Sequence, residues 1–172
     1  MNKKALMIVA HETFRDEEYL EPKKILEENG ISVTTASSET GTAVGKFGTE
    51  VTIDTTINDI DINPYQVIIY IGGAGSKNYW NNPTAHSIAQ QALLENKILA
   101  SICSASVILA RAGVLKGRKA TSFPGDSREM LKEGVNYIAE PVVQDGLIIT
   151  ANGPEAAVSF GVAIAKLLEE VG

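Results

Sequence analysis

Short, continuous apolar runs alternate along the chain with amphipathic stretches. Residues 5–10 (ALMIVA), 67–71 (VIIYI) and 98–102 (ILASI) are apolar at nearly every position, as expected of strands covered on both faces. Residues 31–36 predict a further strand, and 119–123, 142–143 and 147–151 predict others. Between them, residues 18–29 read as a helix with Leu20, Ile25 and Leu26 on one side and Gly30 as its stop. Pro22 has no amide proton, so it must lie in the first turn of that helix or kink it. Residues 83–95 predict a helix begun by Pro83, 104–112 a short one stopped by Gly113, and 126–133 and 154–171 two more. Residues 43–47 and 51–54 suggest a small edge hairpin around Gly48.

Buried strands alternating with helices predict an α/β fold. The expected architecture is a single-domain, three-layer α/β/α sandwich over residues 1–172, built on a mostly parallel, flavodoxin-like sheet. Such sheets bind ligands at the carboxyl ends of their strands. The residues just after each strand are therefore the candidates for chemistry.

Composition narrows the function. A chain of 172 residues buries roughly 70% of its unfolded surface, enough for a core without staples. With 15 basic and 21 acidic side chains the net charge is −6, which argues against nucleic acid as a partner. No apolar run approaches the roughly 18–20 residues that span a bilayer. Lys3-Lys4 and the following apolar run imitate a signal peptide, but the run ends at His11-Glu12 and no small-residue cleavage site follows. A buried first strand and a cytoplasmic location are expected, which keeps the single cysteine reduced. One cysteine excludes an intrachain disulfide and a cysteine zinc cluster, and ligands for any other metal site are too few.

That cysteine, Cys103, follows the strand Ile98–Ile102 and precedes a helix. A nucleophile elbow needs small residues two positions to either side of such a bend, and Ser101 and Ala105 meet the need. The helix amino end would favour the thiolate and lower its pKa. Gly72-Gly73-Ala74-Gly75 closes the third buried strand. It is a poor dinucleotide fingerprint but a plausible backbone donor beside an elbow, where an oxyanion hole pairs the amide after the nucleophile, here Ser104, with one from a neighbouring loop. A plain flexible turn fits these glycines equally well.

The loop after the first strand carries Asp16, Glu17, Glu18 and Glu21. They suit a helix start, or one of them folds toward Cys103 with a raised pKa. Spacing does not choose among the four. Both histidines, His11 and His86, precede Cys103, so a downstream Cys–His dyad is impossible within the chain. His86 reads as a solvated helix residue. His11 ends the first strand, where it faces the crevice or remains a plain loop or core histidine. Tyr79 and Trp80 wall a pocket or cover a partner surface, and Glu169-Glu170 read as a solvated helix end.

Five segments together resemble the ThiJ/PfpI family, within the class I glutamine amidotransferase-like superfamily. They are FRDEEYLEP (14–22), GKFG (45–48), YIGGAG (70–75), LASICSASVILARAGVLKGRKATSFPG (99–125) and NGPEAAVSFGVAIAKLL (152–168). The resemblance implies that Cys103 is the reactive cysteine and Glu18 the acid against its sulfur. It implies Gly73 and Ser104 as backbone oxyanion donors, and a pocket lined by Gly72, Phe123, Pro154 and, from its place after the first strand, His11. It implies no cofactor, a homodimer, and a small aldehyde or a glycated thiol or amine as substrate. Two departures stand out: Ser104 replaces the histidine that PfpI-type proteases carry after the cysteine, and Phe123 replaces a histidine of another branch. The function expected from these pieces is a glutathione-independent glyoxalase or deglycase using Cys103 and Glu18. The alternative is a redox sensor or chaperone acting through oxidation of Cys103 to the sulfinate, and a PfpI-type peptidase ranks last.

Overall fold

In the computed structural model, which describes residues 2–172, the chain runs β1 (Lys4–Ile8), β2 (Glu12–Phe14), α1 (Asp16–Glu28), β3 (Ser32–Ser37), β4 (Gly41–Gly45), β5 (Glu50–Ile53), β6 (Thr55–Thr56), β7 (Val67–Tyr70), α2 (Pro83–Leu94), β8 (Ile98–Ile102), α3 (Ser106–Arg111), β9 (Lys119–Ala120), α4 (Ser127–Lys132), β10 (Asn136–Tyr137), β11 (Val142–Asp145), β12 (Ile148–Ala151) and α5 (Ala157–Val171). Seven strands form one sheet in the order β11-β12-β8-β7-β1-β3-β6. All its pairings are parallel except β11 with β12. The central five follow the doubly wound, flavodoxin-like order. The chain leaves β1 toward β3 on one side and returns to β7 on the other, so a crevice opens at the carboxyl ends of β1 and β7.

Strand alternation divides the core into two layers. Leu6 and Ile8 of β1 pack with Ile68 and Tyr70 of β7 under α2 and α3. Ala5 and Met7 pack with Val67 and Ile69 under α1 and α5, against Tyr19, Leu26, Phe160 and Ile164. This is the three-layer sandwich that the continuous apolar runs predict. Among the described residues, no helix is long and apolar enough to cross a membrane.

Several elements differ from the sequence expectation. Helix α1 starts at Asp16 rather than residue 18, and Pro22 is buried within its body, beyond the first turn. Gly161 of α5 faces it, and a Cβ there would lie 2.9 Å from the Pro22 Cα. The proline thus sits where two helices cross closely. The strand expected at 119–123 is only Lys119–Ala120 and pairs with β10 outside the main sheet. Past it, the Thr121 N–H donates to Thr150 Oγ1 instead of a strand partner, and the chain turns away toward the ligand end. The hairpin around Gly48 is present as β4 and β5, and β2 joins it to make a separate three-stranded sheet. The expected helix at 104–112 is a 3-10 turn, Cys103–Ala105, followed by α3.

Candidate active site

Strand β8 is buried along its whole length and ends in a sharp bend. Cys103 sits at φ +61°, in the left-handed region that costs a non-glycine residue energy and marks elbows of this kind. The two small flanking residues are used as the bend requires. Ala105 is fully buried, and Ser101 Oγ lies 2.7 Å from Ser106 Oγ across the turn. Ser104 is tied down twice: its hydroxyl donates to Asp126 Oδ2 at 2.6 Å, and its carbonyl accepts from Trp80 Nε1 at 2.8 Å. Trp80 therefore braces the elbow and does not wall the cavity. His86 corrects its expectation too. It is half-buried, with Nε2 2.7 Å from the Trp80 carbonyl oxygen.

The structure separates the four acids that spacing left equivalent. Asp16 accepts from the Phe47 and Thr49 amides at 2.9 and 3.0 Å. Burial opposes its charge, but these donors win and hold its carboxyl below the ordinary value. It anchors the β4–β5 turn, where a Cβ on Gly45 would meet its carboxyl group. Glu17 pairs with Arg15 at 2.9 Å, and Glu21 stays half-exposed. Glu18 alone is fully buried, beside Cys103.

Glu18 follows β1 and Cys103 follows β8, so the two flank β7 and meet over its terminal loop. Gly72 makes the meeting possible. A Cβ there would lie 2.6 Å from the Ile102 carbonyl oxygen and 2.7 Å from the Cys103 Cβ, and would collide with Glu18 Oε1. Gly73, at φ +106°, likewise leaves no room for a Cβ against Thr13 and Arg15. The glycine run is a packed turn rather than a flexible one.

Neither Glu18 oxygen has a well-formed hydrogen bond among the described residues. The polar groups beside it are the Cys103 sulfur and the Gly72 amide. Burial pushes the Glu18 carboxyl up to about 7. Burial, reinforced by the Glu18 charge, pushes the Cys103 thiol up to about 12. This corrects the expectation of a lowered thiol pKa. The Ser104 amide does favour the thiolate, but a three-residue 3-10 turn is a weak dipole and desolvation outweighs it. Burial thus holds both groups toward their protonated, neutral forms.

A cavity of about 820 Å³ opens over this pair. Cys103, Glu18, Gly73, Ser104, Phe123 and Pro154 all line it. Gly72 and His11 do not. Gly72 lies beneath the Glu18–Cys103 contact, and His11 turns away to place Nε2 2.9 Å from the Thr40 carbonyl oxygen. Arg15, Lys46, Lys77 and Asn152 line the cavity as well and were not singled out from the sequence. The first two lie inside the segments FRDEEYLEP and GKFG, which was the available signal. Among the described residues, no group of three or more His, Cys, Asp or Glu side chains is placed to hold a metal ion.

Residues 3–167 match the DJ-1/PfpI family. The chain belongs to this family. An uncharacterized protein of Methanocaldococcus jannaschii is 41% identical, over 98% of this chain and 84% of that one. A protein named as a deglycase from Pyrococcus horikoshii is 36% identical, over 96% of this chain and 99% of its own. The crystal structure of a ThiJ/PfpI domain protein from Brachyspira murdochii superposes with a TM-score of 0.97 at 31% identity, covering all of both chains. The two proteins thus share the fold described above over their whole length.

Proposed function

We propose that this protein is a cysteine-dependent enzyme acting on small reactive carbonyls, converting methylglyoxal to lactate without glutathione. The observation that carries this reading is the buried Cys103–Glu18 pair beneath one open cavity. Relatives named as deglycases support it. As Sγ bonds to the aldehyde carbon, the thiol proton passes to the Glu18 carboxylate, and the carbonyl electron pair moves onto oxygen to give a hemithioacetal. The amides of Gly73 and Ser104 stabilise that oxygen. Glu18 returns the thiol proton to that oxygen, completing the hemithioacetal. As a carboxylate again, it removes the C1 proton and delivers it to C2 while the C1 hydroxyl proton passes to the C2 oxygen. C1 is oxidised to a thioester while C2 is reduced to an alcohol, so no outside oxidant is needed. Water cleaves the thioester, releasing lactate and restoring the thiol.

The test is lactate formation from methylglyoxal by the purified protein. Cys103→Ser and Glu18→Gln should each lower kcat/KM by about 100-fold or more. Turnover unchanged in both variants would overturn the assignment.

A second reading draws on the unpartnered Glu18 oxygens. A protonated Glu18 can donate a short hydrogen bond to a Cys103 sulfinate, which suits a redox-responsive protein without turnover. Stable addition of two oxygens to Cys103 under mild peroxide, with no carbonyl turnover, would select it. Peptidase chemistry has less support, since among the described residues neither histidine lines the cavity.

A further inference from the structure

We propose that the cavity selects carbonyl substrates bearing an anionic group, a carboxylate or a phosphate, and that Lys46 and Lys77 hold that group while the aldehyde reaches Cys103. This inference rests on the carbonyl-enzyme reading above and names its substrate class.

The chain carries a net charge of −6, yet Arg15, Lys46 and Lys77 converge on one cavity wall set that holds only two acids, Glu18 and Glu155. Arg15 is already engaged by Glu17, with Nη2 and Nε at 2.9 and 3.1 Å. Lys46 and Lys77 are different. Among the described residues neither forms an ion pair, so unlike Arg15 they keep their charge available. Both are instead steadied by aromatic faces. Lys46 Nζ lies 5.3 Å from the Phe47 ring centre, and Lys77 Nζ lies 5.5 Å from that of Trp80. An aromatic face holds an ammonium in place without neutralising its charge.

Their backbones are also fixed. The Lys46 amide donates to the Phe14 carbonyl at 2.9 Å, within the turn that Asp16 anchors. The Lys77 carbonyl accepts from the Trp80 amide at 3.2 Å. The two charges thus come from separate elements, the β4–β5 turn and the loop after β7. The cavity floor has the opposite character. Glu18 is fully buried, lines the cavity and among the described residues has no well-formed hydrogen bond, so its negative charge, when ionised, turns an anionic group away from the floor. At about 820 Å³ the space lies in the range of pockets that enclose whole drug-sized ligands. A three-carbon aldehyde leaves most of it unfilled.

The first test is independent of turnover. Cys103 is the only cysteine, so its alkylation by anionic iodoacetate and neutral iodoacetamide can be followed by intact mass. The iodoacetate-to-iodoacetamide rate ratio should fall at least about fivefold in Lys46→Gln/Lys77→Gln, and should fall in the wild type as salt screens the lysines. The iodoacetamide rate reports that the elbow is intact. A ratio unchanged by both the substitutions and salt would overturn the inference. The second test uses turnover. 4,5-Dioxopentanoate should be processed faster than its methyl ester, and that preference should collapse in the double variant. Hydroxypyruvaldehyde phosphate beside 4,5-dioxopentanoate tells phosphate from carboxylate. Equal loss on the acid and the ester would overturn selection by charge. No turnover of any dicarbonyl would refute the reaction proposed above, while the alkylation ratio would still decide whether the cavity favours anions.

Discussion

Glu18, in the first turn of α1, and Cys103, at the end of β8, approach from either side of β7, and they touch only because Gly72, just past the end of β7, has no side chain. The buried carboxyl and thiol thereby lie against each other as one unit at the floor of the cavity. Each property of the site then depends on how closely β1, β7 and β8 hold their loops together.

Gly72→Ala should damage that unit directly. The added methyl would meet the Ile102 carbonyl and the Cys103 Cβ inside van der Waals distance. A loss of about 1–3 kcal/mol is expected, measured by denaturant unfolding, together with slower Cys103 alkylation. Wild-type stability and thiol reactivity would contradict the packing described here.

The charge of Glu18 raises the thiol pKa. In Glu18→Gln that charge is gone, so the pH midpoint of Cys103 alkylation should move down from the wild-type midpoint, although burial still holds it above that of a free thiol. A midpoint that stays put or rises would show that the two groups are not coupled.

Glu18 also makes stability depend on pH. Its folded value of about 7 lies above the ordinary 4.5, so the folded state holds a proton that the unfolded chain has released. The contribution is intact below pH 4.5 and is lost as pH rises through about 7. Glu18→Gln should therefore gain on the wild type between pH 4.5 and 8, by up to about 3 kcal/mol. Parallel stability curves over that range would contradict it.

Asp16→Asn should loosen the β4–β5 turn. The amide side chain keeps one acceptor for the Phe47 and Thr49 N–H groups and sets a donor against the other. A cost of about 1–3 kcal/mol is expected. Hydrogen exchange at Phe47 and Thr49 should accelerate, and exchange unchanged at both would remove Asp16 as the anchor.

Trp80, the only tryptophan, hydrogen-bonds to the Ser104 carbonyl. Alkylation or oxidation of Cys103 should shift its fluorescence, in step with modification followed by mass. Emission unaffected by complete modification would show that the brace does not sense the elbow.

The runs at 67–71 and 98–102 determine their strands by themselves, because a strand buried on both faces is apolar at nearly every position. Ser101 and Ala105 likewise mark the bend at Cys103, since only small side chains fit around it. Residues 119–123 misled because β-branched and apolar residues near an active-site loop resemble a strand until their hydrogen-bonding partners are known. Local sequence could not rank Asp16, Glu17, Glu18 and Glu21 either. Their roles depend on which of them meets the Phe47 and Thr49 amides, which meets the neighbouring Arg15, and which meets the sulfur, and Phe47, Thr49 and Cys103 all lie far away in the chain. The thiol pKa was decided the same way. Sequence order predicts a helix end that lowers it, but only the folded arrangement places Cys103 in a desolvated site beside a carboxylate, and desolvation is a property of everything packed around an atom.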